Sequence, residues 1–123
     1  KKMLSKRMHV NGANILVMGL TFKENCPDLR NTKVVDIVSE LKEYNTNVDI
    51  IDPWCSSEEA EHEYGLSLIE QAENGFYDAI ILAVGHNEFK ALGVDKIRAL
   101  GKTEHVLYDL KYVLNKNSVD MRL

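Results

Sequence analysis

No stretch of this sequence approaches the roughly 18 consecutive apolar residues that cross a bilayer, and the opening segment KKMLSKRMHV has no apolar core of the kind a signal peptide carries. A membrane-embedded or exported protein is therefore not expected, and the expected location is the cytoplasm. An excess of positive charge is also missing, because 15 Lys and Arg stand against 19 Asp and Glu and leave a net charge of −4. Binding along a nucleic-acid backbone draws on surplus cations, so a broad nucleic-acid surface is excluded, although a local cationic pocket is not. Cysteine is scarce. Cys26 and Cys55 lack CxxC spacing and have no histidine pair beside them, which leaves zinc and a disulfide framework without support and predicts two free thiols. Low-complexity segments and repeats with a period of roughly 20 to 50 residues are absent as well.

The most informative shortage is glycine. The segment GLTFKENCPDLRNT follows the apolar run NILVM and precedes a helix-like run, the position of a phosphate loop in nucleotide-binding folds. A backbone cradle for pyrophosphate needs the G-x-G-x-x-G spacing so that the phosphates can come close to main-chain N–H groups, and here only Gly19 is present. An autonomous dinucleotide-binding protein is disfavoured on that ground.

With 123 residues, 45% hydrophobic and 28% charged, the chain has the size and composition of one ordinary domain able to bury its own core. Residues 14–18 form a short, continuous apolar run suited to a parallel strand buried on both faces. Over residues 33–44 the period changes, with Val34, Val35, Val38 and Leu41 on one helical face and Asn31 or Thr32 placed to cap the first turn. Residues 48–53 read as a second strand stopped by Pro53. Ser56 or Ser57 opens a short acidic helix, GLSLI reads as a short edge strand, and residues 78–84 form the least ambiguous strand. A helix over 94–100, a strand in EHVLYDL and a last short strand in SVDMRL complete the series. Strands alternating with helices around one core predict an α/β fold, a Rossmann-like three-layer sandwich with a mostly parallel sheet.

In such sheets ligands sit beyond the carboxyl ends of the strands. The candidate loops are therefore 19–31, 52–57, 85–90 and 109–116, three of which carry a cation or a histidine. In the first loop, binding would have to come from side chains: Lys23 as a point charge, Arg30 as a planar fork for phosphate oxygens, and Phe22 as an apolar surface beside a base or ribose. Pro27 stiffens this loop, and Asp28 is placed to pin it through its backbone or an ion pair with Arg30. The competing interpretation is a solvated connection with an ordinary surface lysine and arginine.

The ordered set F-K-x-x-x-x-D-x-R over residues 22–30, a later Asp52-Pro53, the segment YDAIILAVGHNEF and a D-x-K at residues 109–111 resembles the C-terminal, UDP-binding domain of the UDP-glucose and GDP-mannose dehydrogenase family. The likeness runs from about residue 10 to residue 123 and is greatest toward the bacterial UDP-N-acetylglucosamine and UDP-N-acetylgalactosamine 6-dehydrogenases of polysaccharide synthesis. It implies that residues 13–123 form the UDP-binding domain and that residues 1–12 end a connector helix from an N-terminal, NAD-binding half. It places Phe22, Lys23 and Lys111 against the UDP-sugar, and Arg30 toward the NAD held by that other half. The family's nucleophilic cysteine and active-site lysine have no counterpart here, since neither Cys26 nor Cys55 matches the cysteine's position, so no catalytic residue is expected in this chain and no turnover by it alone. Family members are commonly homodimers through their central region, which implies the same for the whole protein.

Other residues carry weaker signals. His86 lies on the ligand side, but the favoured interpretation is a helix-start residue bonded to a neighbouring backbone group. Asp52 sits where a ribose-binding acid ends the second strand of dinucleotide folds, a role undercut by the missing glycines. Trp54 is either a partner contact or a lid over the strand ends, and EEAEHE reads as a solvated helix face. His9, His62 and His105 lack ligand spacing, and no metal is expected. A receiver-like signalling module has a similar architecture, but it needs an acidic pair after the first strand to hold magnesium, where this chain has Gly19-Leu20-Thr21.

Overall fold

The apolar run in the first strand alternates between two layers. The computed structural model describes residues 11–30, 32–110 and 121–122, and in it strand β1 spans Asn14–Met18. Ile15 and Val17 enter one core cluster and Leu16 and Met18 the other, so both faces of the strand are buried. This is why the run is continuous rather than alternating with polar residues. The remaining elements follow in order: α1 Val34–Glu43, β2 Asn47–Ile51, α2 Ser57–Tyr64, β3 Tyr77–Leu82, α3 Asn87–Arg98, β4 Gly101–Asp109 and β5 Met121–Arg122.

The five strands pair in the order β2-β1-β3-β4-β5, and every pairing is parallel. Register aligns Met18 with Ile51 and Leu82, and Leu82 with Asp109, so the carboxyl ends of β1 to β4 form one row. Val34 and Val38 of α1 and Ala60 of α2 pack on one face with Ile15, Val17 and Ile50. Phe89 and Ile97 of α3 pack on the opposite face with Leu16, Met18, Ile80 and Leu107. The three-layer α/β sandwich is thus the observed architecture, with each fully buried aliphatic side chain contributing roughly 1.5–3 kcal/mol of transfer free energy.

Four local readings are refined. GLSLI is not a strand: Gly65 ends α2 in the left-handed region (φ 69°), the Leu68 N–H donates to Ser57 Oγ at 3.0 Å, and only the Ile69 N–H reaches β2, at Ile50 O, 2.8 Å. The cause is packing. Leu66 and Leu68 belong to one core layer and Ile69 to the other, so the segment crosses the β2 edge of the sheet instead of running along it. Helix α3 begins at Asn87 rather than at residue 94, because two helical segments join across Gly93 (φ 78°, ψ 163°), and Phe89 in the first of them is buried. The N-cap position of α1 is Lys33, which makes no side-chain cap bond; Thr32, one residue earlier, accepts the Val34 N–H on Oγ1 at 3.2 Å, and Asn31, the other residue expected to cap, lies outside the described residues. For α2, Ser56 is the cap and accepts the Glu59 N–H at 3.1 Å. Its acidic face is exposed, as its composition predicts.

Candidate functional site

The chain passes from β1 to β2 on one side and then to β3 on the other side of β1, so the switch point lies between the ends of β1 and β3. Gly19 leaves β1 at this point with φ +105°, and a Cβ there would stand 2.6 Å from Val84 Cβ and 2.9 Å from the Val84 N. The single glycine of the loop therefore exists for close packing of two strand exits. It does not open a phosphate cradle.

The crevice itself is filled from within. Asp52, at the end of β2, accepts the Leu20 N–H (2.7 Å) and Thr21 N–H (3.0 Å) on Oδ2 and the Trp54 N–H (2.7 Å) on Oδ1. His86 Nε2 lies 3.0 Å from the same Oδ2 and 3.0 Å from Thr21 Oγ1. His86 Nδ1 accepts the Asn25 N–H at 2.9 Å, so the ring's hydrogen sits on Nε2 and is donated toward Asp52. Thr21, Asp52 and His86 are all buried, and Trp54 stacks over the imidazole with centroids 5.9 Å apart while its indole N–H donates to Glu88 Oε1 at 2.8 Å. Burial disfavours the charged form of Asp52, but the bonds from His86 and from the Leu20, Thr21 and Trp54 amides outweigh it and hold the carboxyl below its ordinary value.

Outside this plug, the first loop closes on itself. The Phe22 N–H donates to Asp28 O at 2.7 Å, Leu29 is buried in the core, and the Tyr64 hydroxyl donates to Leu29 O. Asp28 pins the loop in both expected ways: Oδ1 accepts the Arg30 N–H (2.8 Å) and Nε (3.0 Å), and Oδ2 accepts Nη2 (3.2 Å). The hydrogen bonds from Arg30 lower the Asp28 carboxyl's affinity for a proton. Phe22 is 52% exposed, and Lys23 and Arg30 are exposed too, so the loop presents all three to solvent from a firmly anchored base.

Two depressions, one of about 540 Å³ between the end of β2 and the start of α3 and one of about 410 Å³ between this loop and α2, are not lined by Phe22 or Lys23. The larger has Asp52, Glu70 and Glu88 as its charged lining. The smaller sets Arg30 and His62 among Asp28, Glu58, Glu59 and Glu63. Carboxylates outnumber cations in the lining of both, and Lys23 is exposed and lines neither. Lys111 lies outside the described residues, but β4, which precedes it, ends in the same row as β1 and β3.

Sequence reasoning placed His86 correctly at the start of α3, bonded to backbone, but missed its acid partner. Asp52 is 34 positions away and Thr21 is 65 away, so only the fold joins them. The ribose-binding interpretation of Asp52 loses its basis, since both its oxygens are taken up inside the fold. Trp54 covers His86 at the strand ends, in keeping with a lid. Cys26 and Cys55 are free thiols, and burial, reinforced by the charges of Asp52 and Glu59, pushes the Cys55 thiol up to about 12, which is unsuited to a nucleophile at neutral pH. Among the described residues no group of three or more His, Cys, Asp or Glu is arranged to hold a metal, and no helix is long and apolar enough to cross a membrane.

A doubly wound parallel sheet whose crevice is plugged by Thr21, Asp52 and His86, with Phe22 and Lys23 exposed on the adjoining loop, defines a Rossmann-like α/β domain that lacks a glycine cradle. Residues 16–116 match the model of the UDP-glucose/GDP-mannose dehydrogenase family, UDP binding domain, and the chain belongs to that family. It is 63% identical to the UDP-N-acetyl-D-glucosamine 6-dehydrogenase of Pseudomonas aeruginosa and 51% identical to that of Salmonella typhi, over 100% of this chain and 29% of each relative. The chain thus spans under a third of these relatives. The fold also matches the NDP-N-acetyl-D-galactosaminuronic acid dehydrogenase of Methanosarcina mazei Go1 with a TM-score of 0.80, at 20% identity, over 95% of this chain and 24% of that one.

Proposed function

We propose that this chain is the UDP-sugar-binding part of an NAD-dependent nucleotide-sugar 6-dehydrogenase that oxidises the C6 hydroxyl of a UDP-N-acetylhexosamine or UDP-hexose to the uronic acid. The observation that carries this reading is the exposed Phe22-Lys23 pair on a loop anchored at both ends, in a chain 63% identical to a UDP-N-acetyl-D-glucosamine 6-dehydrogenase. Phe22 offers its ring to the uracil or ribose and Lys23 its ammonium to the diphosphate, with Lys111 as a second cation. Arg30 faces the NAD, which an N-terminal domain of the same enzyme holds, and Asp28 keeps its guanidinium in one orientation. Residues 1–12 connect to that domain, and the whole enzyme is a homodimer. The nucleophilic thiol and the hydride chemistry belong to that other part of the enzyme, in keeping with the high proton affinity of Cys55.

The protein as its gene encodes it, given NAD and UDP-N-acetylglucosamine, is expected to release two NADH per sugar, because an alcohol becomes a carboxylate in two hydride transfers. Release of one NADH with an aldehyde product, or none with any UDP-hexose or UDP-N-acetylhexosamine, contradicts the assignment.

A further inference from the structure

His86 is buried completely and stands within hydrogen-bond reach of three separate parts of the fold: the loop after β1, the end of β2 and, through its own backbone, the start of α3. Its contacts to the loop are specific. Nδ1 takes the amide of Asn25, a residue held in the left-handed region at φ 54°, and the Asn25 side-chain oxygen takes the Asn87 N–H at 2.9 Å. The loop and the first residue of α3 therefore clasp one another. Phe22 and Lys23 lie between Thr21, which Asp52 holds by its amide, and Asn25, which His86 holds by its amide.

We propose that His86 is a positioning residue for nucleotide binding: it fixes the turn at Asn25 through Nδ1, and so sets where Phe22 and Lys23 point, without touching the ligand. Asparagine tolerates the left-handed region better than most residues, and its surroundings decide whether it stays there. Here two contacts at the start of α3 hold it, Nδ1 of His86 on the Asn25 amide and the Asn87 N–H on the Asn25 side chain, and only the first fixes the Asn25 backbone directly. Asp52 works on the other side of the ring, where it orients the imidazole by accepting from Nε2. The crevice that would take a nucleotide in a glycine-cradle fold is given over to the device that aims the loop. The inference rests on the loop reading above, so its test separates the two.

Asparagine and glutamine divide the two nitrogens. The amide of Asn at position 86 sits where Nδ1 sat and accepts the Asn25 N–H; the amide of Gln reaches where Nε2 sat and leaves that N–H without its acceptor. Hydrogen exchange at Asn25, urea unfolding and UDP affinity are measured on the gene-encoded protein with His86→Asn and His86→Gln. The expected result is about tenfold faster Asn25 exchange and about tenfold weaker UDP binding in His86→Gln only. The stability loss is expected to be similar in both variants, so that a merely structural role would affect the two alike. Equal affinity in the two variants, or a freed Asn25 amide with undiminished UDP affinity, overturns the proposal. Failure of the unmutated protein to bind UDP sinks the loop reading and with it the nucleotide part of the proposal, and whether His86 fixes the turn at Asn25 is then decided by whether Asn25 exchange separates the two variants.

Discussion

Asp52 shows how one buried side chain can organise the loops around it. Its two oxygens receive three backbone amides and the His86 ring, and all of these lose their acceptor in Asp52→Ala. That substitution is expected to cost about 3 kcal/mol in urea unfolding, since buried donors are left without partners. The sign of its pH dependence follows from the lowered carboxyl. The folded chain binds fewer protons than the unfolded chain, whose aspartates titrate near about 3.9, so the contribution is complete above about pH 5 and disappears as the pH falls through 4 and below. The stability gap between the unmutated protein and Asp52→Ala should shrink over that acid range; a gap that widens there contradicts the arrangement. Cys55, with its thiol pushed up to about 12, is expected to alkylate far more slowly at pH 8 than an unfolded-peptide cysteine, as read by intact mass.

Elements divide by how much of their cause is local. Strand β1 and helix α1 were legible because their periods record burial on two faces and on one. The row GLSLI failed as a strand because its apolar residues serve two different layers, which no single period can express. The first half of α3 was hidden by Gly93, whose φ of 78° breaks the helix the sequence pattern was tracking. Gly19 and Gly65 test the distinction between conformation and space. At Gly65 an added Cβ meets nothing within 4 Å, so Gly65→Ala should cost about 1 kcal/mol for its left-handed backbone alone. At Gly19 the Cβ collides with Val84 at 2.6 Å as well, and Gly19→Ala should cost about 3 kcal/mol. Equal costs in denaturant titrations would show that the strand exits are not packed as described.

At the scale of the whole molecule, function depends on what a doubly wound sheet does with its switch point. This chain closes that point with Asp52, Thr21 and His86 and leaves Phe22 and Lys23 exposed on the loop beside it, where the proposed function puts the ligand. The loop residues Phe22, Lys23 and Arg30 were legible as candidates because charged and aromatic side chains in a strand-to-helix loop are conspicuous in sequence. The plug was not, because its members are joined only by parallel strand order across 34 and 65 positions. Arg30→Ala is expected to raise the KM for NAD with little change in UDP affinity, which steady-state kinetics would separate. The most direct test of the side-chain grip is the affinity of the gene-encoded protein for UDP with Lys23 replaced by alanine. The account predicts about tenfold weaker binding at an unchanged urea midpoint, the loss of one charge-assisted phosphate contact. Undiminished affinity, with ligand-induced shifts gathered around Ile51, Leu68 and Leu92 in the acidic depression instead, would contradict it.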